Sequence, residues 1–169
     1  MTTDQKTVAI GAASGITAMI LSLWLFYQLL PDPGAIMLAD RLAYALKWDV
    51  VAVLPLFFMV AAVGNARFLG EAIDPTLGKE SLKMIVDGRV ADNTLQQYML
   101  FLVATLGLAS AVDGEAVKIV GAAAITFVIM RLAFWIGYRI KPVHRAFGFA
   151  STAYMNIGML IAAIWLGFA

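Results

Sequence analysis

The sequence predicts an all-α integral membrane protein. Hydrophobic residues make up 62% of the 169 positions and charged residues only 14%, whereas soluble domains are roughly half apolar and a quarter charged. Five apolar segments have the roughly 20 residues that a helix needs to cross a hydrocarbon layer about 30 Å thick. These two observations indicate five membrane-spanning helices in a lipid bilayer.

The composition also excludes several functions. The net charge is +1, from 12 Lys and Arg against 11 Asp and Glu, so no overall field favours nucleic acid as a partner. The absence of cysteine excludes a disulfide framework, a thiolate metal site and a cysteine nucleophile. The single histidine, His144, has no carboxylates near it in the sequence, so no metal site is predicted.

The first predicted helix covers residues 7–30. Its apolar run is too long for the hydrophobic region of a signal peptide and has no evident cleavage site, which indicates a retained anchor. Gly11 and Gly15 form a small-xxx-small pattern that allows two membrane helices to approach closely, although lipid-facing glycines would give the same pattern. The prolines of residues 31–34 end this helix.

Residues 35–48 alternate apolar and charged positions in a helical pattern, which predicts a short helix lying in the membrane interface. Tyr44 and Trp48 are expected at headgroup level, where aromatic residues with a polar group are enriched. The second spanning helix is predicted at residues 49–69, with a kink at Pro55.

A polar connection of residues 70–92 overlaps the start of the third helix, predicted at 88–112. The fourth helix is predicted at 116–140 and the fifth at 146–169. Only three residues join helices three and four, which makes them antiparallel neighbours. No carboxylate is expected in the middle of a span, which argues against a proton-coupled transporter.

Orientation follows from the lysines and arginines of the connections. Eight fall on one side and three on the other, and the richer side is expected to be cytoplasmic. The N-terminus is then cytoplasmic and the C-terminus lies on the opposite side. Because the first residues also lack an arginine-rich targeting pattern, the expected location is a bacterial inner membrane.

Three polar residues of the third helix share one face near its cytoplasmic end. Arg89, Asn93 and Gln96 are spaced i, i+4 and i+7. They allow two interpretations: a ligand-binding face, or an arginine that reaches the interface beside amides that cap or bridge helices.

A second polar series ends the fourth helix. Arg131, Tyr138 and Arg145 are seven residues apart and so lie on one side of a continuous helix. Pro142 limits this argument to Tyr138, because the helix can stop before Arg145. Arg131 lies deeper in the span, so a structural bond to a neighbouring helix is its expected role.

The two polar series predict a crevice for a small anionic, peptide-like molecule. Guanidinium groups pair with carboxylates, and Asn and Gln amides pair with peptide groups. An arginine beside a bound thiol also lowers the thiol pKa from its usual value of about 8.5 and so favours the thiolate.

The segment RVADNTLQ at residues 89–96, with the apolar run after it, resembles the second core helix of the MAPEG family. This family includes microsomal glutathione transferase, leukotriene C synthase and microsomal prostaglandin E synthase. The segment RLAFWIGYRIKPVHR at residues 131–145 resembles the end of its third core helix. The resemblance covers about residues 50–169. It implies a MAPEG-like four-helix membrane domain at 49–169, with residues 1–48 as an N-terminal transmembrane helix and interfacial segment.

The resemblance also implies a homotrimer that binds glutathione, as a co-substrate, in clefts between subunits near the cytoplasmic face. Arg145 matches the arginine that stabilises the glutathione thiolate and is the implied catalytic residue. The implied glutathione-binding residues are Arg67, Arg89, Asn93, Gln96 and Tyr138. Of these, Arg67 would be supplied by a neighbouring subunit.

Three positions depart from the family pattern. Gln96 replaces a glutamate that would pair with the glutathione amine, and Phe134 replaces a frequent tyrosine. Ala146 stands where the prostaglandin synthase has serine, so isomerase activity is not implied.

Two functions follow as hypotheses. The first is a glutathione-dependent membrane transferase or peroxidase that takes an apolar electrophile or lipid hydroperoxide from the bilayer. The second is a non-catalytic scaffold or accessory subunit, which would bind a membrane-protein partner through the added N-terminal helix.

Overall fold

The computed structural model describes residues 1–168, and all regular structure within them is helical. Five segments are long and apolar enough to cross a membrane, the second of them, Leu38–Leu69, being built from two consecutive helices. The prediction of an all-α membrane protein with five spanning segments is confirmed. The helices are α1 (Thr3–Leu29), α2 (Leu38–Ala52), α3 (Leu54–Leu69), α4 (Leu82–Ala111), α5 (Lys118–Ile140) and α6 (Ala146–Phe168).

The segment of residues 35–48 does not form a separate interfacial helix, which corrects the sequence-based expectation. Instead, α2 continues to Ala52 and packs one face against α4 and α5. The interruption comes at Val53, two residues before Pro55, because proline lacks the N–H that continues the helical hydrogen bonds. The helix is therefore interrupted next to the position where the kink is predicted. The buried stripe of α2 consists of Arg41, Ala45, Asp49 and Ala52.

Tyr44 and Trp48 of α2 pack against α5 at Gly121. A Cβ on this glycine would lie 2.6 Å from Tyr44 Oη and 2.8 Å from Trp48 Nε1. The two rings meet edge to face, with centroids 6.2 Å apart. Helix packing therefore fixes these aromatic side chains, in addition to any contact with lipid headgroups.

Helix α4 begins at Leu82, six residues before the predicted start. The hydroxyl of Ser81 caps it by accepting a hydrogen bond from the backbone N–H of Met84 at 3.3 Å. The first two turns look like a loop in the sequence because they are polar, yet Asp87 there is buried. The solvated connection is therefore limited to residues 70–81.

Helix α1 packs along α6 at Gly15. A Cβ at this position would lie 2.2 Å from the carbonyl oxygen of Phe147, so only glycine permits this approach. Ser151 Oγ donates a hydrogen bond to the carbonyl oxygen of Gly15 at 2.8 Å. The glycine pattern of α1 thus serves packing within the chain, and the opposite face of α1 remains apolar and exposed.

Contacts between distant residues group the loops into two ends of the bundle. Lys141 Nζ lies 3.1 Å from Asp4 Oδ1, which brings the start of α1 to the end of α5. At the other end Arg41 pairs with Asp113 and also donates to the carbonyl oxygen of Val112 at 2.7 Å. The loops therefore divide between the two ends as the sequence predicted.

Candidate functional site

Tyr138 and Arg145 come together where α5 ends. After Lys141 the chain forms a 3₁₀ turn, Pro142–Arg145, which folds back on α5. Gly137 permits this return, because a Cβ there would lie 2.8 Å from the carbonyl oxygen of His144. The guanidinium of Arg145 lies over the Tyr138 ring at 5.3 Å from its centroid. The turn, rather than a continuous helix, therefore brings together Tyr138 and Arg145, the last two residues of the polar series of the fourth predicted helix.

The Tyr138 ring is buried against α4. It belongs to an apolar cluster with Val90 and Ala91 of α4 and Met59 of α3. Phe134 meets it edge to face, with centroids 5.8 Å apart. Tyr138 therefore lies beside the α4 turn that carries Arg89.

Asn93 is bound to Arg131, which has no exposed surface. Arg131 Nη2 donates to Asn93 Oδ1 at 3.0 Å and to Thr94 Oγ1 at 2.7 Å. Arg131 Nη1 donates to Thr152 Oγ1 of α6 at 3.1 Å, and the guanidinium stacks on Phe134 at 4.0 Å. Arg131 thus bonds to both neighbouring helices, the role expected of it. The side-chain oxygen of Asn93 thus accepts a hydrogen bond from Arg131, whereas the side-chain amide hydrogens of Asn93 form no hydrogen bond within residues 1–168.

Arg89 and Gln96 lie on the outer surface of α4, exposed to the surroundings of the single chain. Neither forms an ion pair or a side-chain hydrogen bond in the part of the chain that the structure describes. The buried amide is the next residue, Gln97, whose Oε1 accepts a hydrogen bond from Asn156 at 2.9 Å. The chain alone therefore does not bring Arg89 and Gln96 into contact with Arg145.

Arg67 lies at the end of α3, where its Nη2 pairs with Glu80 Oε1 at 2.5 Å. Both side chains are partly exposed, at 39% for Arg67 and 29% for Glu80. The pair ties α3 to the polar connection that follows it. Within one chain Arg67 is thus engaged by a carboxylate and does not approach Tyr138 or Arg145 by any observed hydrogen bond.

One polar cluster at this end was missed from the sequence. Asp87 of α4 accepts two hydrogen bonds from Arg139, at 2.7 and 2.6 Å, and one from Trp135 Nε1 at 2.8 Å. The Arg139 guanidinium also stacks on Trp135 at 4.5 Å. The sequence pattern instead places Asp87 in a loop. The sequence does contain an indication of this cluster. Trp135 and Arg139 are spaced i, i+4 at the end of a span, so two hydrogen-bond donors share one helix face, where an acidic residue can accept from both.

A buried carboxylate corrects the expectation that no acid lies within a span. Asp49 is 2% exposed and lies inside the apolar segment Leu38–Leu69. Its carboxylate oxygens lie 3.0 and 3.1 Å from Thr105 Oγ1. Thr105 is three turns along α4 from Thr94, about 16 Å, so Asp49 does not neutralise Arg131. The presence of Asp49 therefore removes the reason that the sequence offers for rejecting a transporter.

Arg145 also borders a cavity of about 350 Å³ between α1 and α6. Val8 and Ala12 of α1 form one wall, and Phe149 and Tyr154 of α6 form the other. Arg145 is exposed, and no ion pair found within residues 1–168 involves it. The site therefore places Arg145, whose guanidinium stacks on Tyr138, beside an apolar space.

Comparison with known proteins adds one finding. A family model described as the MAPEG family matches residues 45–165. The matched region begins within α2 and ends within α6, so α1 lies outside it. No curated protein and no solved structure matches the chain.

Proposed function

We propose that this chain, which belongs to the MAPEG family, is a glutathione-dependent membrane transferase or peroxidase. Its second substrates would be apolar electrophiles or lipid hydroperoxides. The observation that supports this most directly is the stacking of Arg145 on Tyr138 beside α4. The family resemblance assigns both residues to glutathione, and the 3₁₀ turn after α5 brings them together.

The chemistry proposed for Arg145 is stabilisation of the glutathione thiolate. A cationic neighbour lowers a thiol pKa, and a change from about 8.5 to about 6.5 corresponds to ~2.7 kcal/mol. In transfer, the thiolate sulfur forms a bond to the electrophilic carbon as the leaving group departs. In peroxide reduction, the sulfur takes the terminal oxygen, the O–O bond breaks and the alcohol leaves with a proton. A second glutathione then yields the disulfide and water.

The rest of the glutathione site is proposed to form between subunits of a homotrimer. Arg89 and Gln96 face outward from α4, and polar groups facing lipid are costly unless another protein surface covers them. Asn93 presents its free amide hydrogens as donors for a peptide carbonyl. Arg67 would reach a neighbour's ligand only by exchanging its bond to Glu80 for the ligand.

We also propose a bacterial inner membrane location with a cytoplasmic N-terminus and a C-terminus on the opposite side. The excess of lysine and arginine at one end of the bundle supports this orientation. Residues 49–169 would form the glutathione-binding domain and residues 1–48 the addition to it. The family match, which starts at residue 45, supports a division close to this point.

Thermal unfolding of the purified protein with and without reduced glutathione tests this function. We expect millimolar glutathione to raise the melting temperature of the wild type, because a ligand that binds only the folded state stabilises it. Arg145→Ala should lose most of this increase, while His144→Ala, which removes the neighbouring exposed side chain, should keep it. Absence of stabilisation of the wild type would overturn the proposal.

The alternative is a non-catalytic scaffold or accessory subunit of a membrane complex. The exposed apolar face of α1, which includes Ile20, Leu21 and Trp24, favours it. The glycine face of α1 is occupied by α6, so a partner would bind this opposite face. Co-purification with a larger complex, together with an unchanged phenotype for Arg145→Ala, would support the scaffold.

A further inference from the structure

The cavity between α1 and α6 is built by the helix that the family match leaves out. Val8 and Ala12 supply its α1 wall, whereas the match begins at residue 45. The remaining lining comes from α6 and the turn before it, including Phe149 and Arg145. A chain without α1 would lack one wall of this space beside Arg145.

Two close contacts hold the cavity in shape. At Gly15, α1 touches the backbone of α6, and the Ser151 hydroxyl bonds across the contact at 2.8 Å. Nearer the end of the bundle, Lys141 pairs with Asp4 at 3.1 Å. Ala12 lies between these contacts along α1. Along α1, the residues that line the cavity therefore lie between two contacts of this helix with the rest of the chain.

The position of the cavity limits what can occupy it. In a bilayer, lipid chains are as apolar as the walls, so apolar burial alone provides little selectivity. Selectivity must come from the shape of the space and from the Arg145 guanidinium. A volume of about 350 Å³ is near the lower limit of small-molecule sites, roughly 300–1,000 Å³. It suits one slender chain better than a two-chain phospholipid.

We infer that this cavity holds the second substrate, a single-chain apolar molecule whose oxygenated end lies at Arg145 and whose chain lies between α1 and α6. The inference rests on the proposed function, in which Arg145 also stabilises the attacking thiolate. A guanidinium donates strong hydrogen bonds to an oxygen that gains negative charge. Val8 and Ala12 thereby become specificity-determining residues, and α1 becomes a substrate-binding element.

Tyr154 sets the length of chain that fits. It lines this cavity and also a second cavity of about 530 Å³. The α1 wall of the second cavity lies further along the helix, at Met19 and Leu23. A longer chain would pass Tyr154 into the second cavity. Tyr154 therefore lies at the boundary between short and long substrates.

Photolabelling of the full-length protein in lipid nanodiscs, without glutathione, tests the inference. The probe is dodecanol with a diazirine in the middle of its chain, and mass spectrometry locates the labelled residues. We expect labelling at residues 8–12 and 149–154 that excess dodecyl hydroperoxide displaces. Labelling of the lipid-exposed Ile164 should not be displaced, because it reports bulk lipid.

Two variants sharpen the result. Ala12→Phe places a ring inside the cavity and should reduce displaceable labelling about tenfold, the effect of an overpacking cost of about 1.4 kcal/mol. Ala13→Phe, whose side chain is exposed one residue further along α1, should label like the wild type. Equal labelling of the two variants, or labelling that competitor does not displace, would overturn the inference.

The polar end is tested by competition. Dodecyl hydroperoxide should displace the probe about tenfold better than dodecane, because only the hydroperoxide bonds to a charged donor. Arg145→Gln should reduce this advantage, and equal competition by the two in the wild type would overturn the role given to Arg145. Displaceable labelling in a protein that glutathione fails to stabilise would overturn the enzymatic role and leave the ligand class of the cavity intact. The reverse pattern would overturn the cavity alone.

Discussion

Arg131 Nη2 donates a hydrogen bond to Asn93 Oδ1 at 3.0 Å, from a guanidinium with no exposed surface. Its other partners are the hydroxyls of Thr94 and Thr152 and the face of the Phe134 ring. No carboxylate pairs with it anywhere in residues 1–168. A buried charge held by neutral groups is costly, and here its bonds fix the direction of a residue in the proposed glutathione site.

Replacing this arginine by lysine should destabilise the bundle. A single ammonium group cannot reach Asn93, Thr94 and Thr152 together, since these lie on two different helices. We expect Arg131→Lys to lower the free energy of unfolding by about 2–4 kcal/mol, measured by equilibrium unfolding in mixed micelles.

Arg131→Met is the matched control for that experiment. Methionine fills a similar volume without a charge that needs partners, so its cost should be smaller than that of lysine. Both variants should weaken stabilisation by glutathione, because Asn93 loses the donor that orients it. A larger loss for methionine than for lysine would contradict the view that the buried charge is the costly element.

The pair formed by the buried Asp87 and the partly exposed Arg139 should contribute more stability than the pair of Arg67 and Glu80, in which both side chains are partly exposed. Asp87→Asn removes a carboxylate that is 3% exposed and accepts three hydrogen bonds, so a loss of about 2–3 kcal/mol is expected. Glu80→Gln breaks a pair whose members are 29% and 39% exposed, and should cost less than about 1 kcal/mol. Similar losses measured by thermal unfolding would show that burial does not distinguish the two pairs.

The spans were predictable because length and hydropathy alone define them in a bilayer. The polar ends of α2 and α4 were not. The sequence places Asp49 at the start of the second span and Asp87 in a loop, since no residue close to them along the chain indicates that Thr105 or Arg139 will meet them. Buried polar pairs between helices depend on tertiary packing, and one sequence does not reveal which partners meet.

The candidate site was predictable only in part, because its contacts also depend on tertiary packing. The seven-residue spacing would place Tyr138 and Arg145 on one side of a continuous helix, but Pro142 limits that prediction to Tyr138. The two residues do meet, because a turn opened by Gly137 produces the contact. The sequence did not indicate that α1 would form a wall beside Arg145. That arrangement depends on the packing of α1 against α6, which is far away along the chain.

Gly15 should be the least replaceable position of α1. In Gly15→Ala the new Cβ meets the backbone oxygen of Phe147, which cannot rotate away as a side chain can. We expect a loss of about 1–3 kcal/mol in thermal or micelle unfolding. Gly64→Ala on α3, where no atom lies within 4 Å of the new Cβ, should instead be neutral or stabilise by up to about 1 kcal/mol. Equal behaviour of the two variants would mean that α1 is not tightly packed on α6.

Introducing a carboxylate at residue 96 should strengthen the proposed binding of glutathione. Gln96 is exposed on α4, and the family resemblance places a glutamate there to pair with the glutathione amine. One exposed ion pair contributes up to about 1 kcal/mol, so Gln96→Glu should lower the dissociation constant by up to about fivefold, as measured by titration calorimetry. Gln97→Glu is the control, since Gln97 is buried against Asn156 and a charge there should destabilise the fold without improving affinity. If Gln96→Glu left affinity unchanged while Arg145→Ala abolished it, the glutathione amine would lie away from the outer face of α4, and the proposed orientation of glutathione between subunits would be wrong.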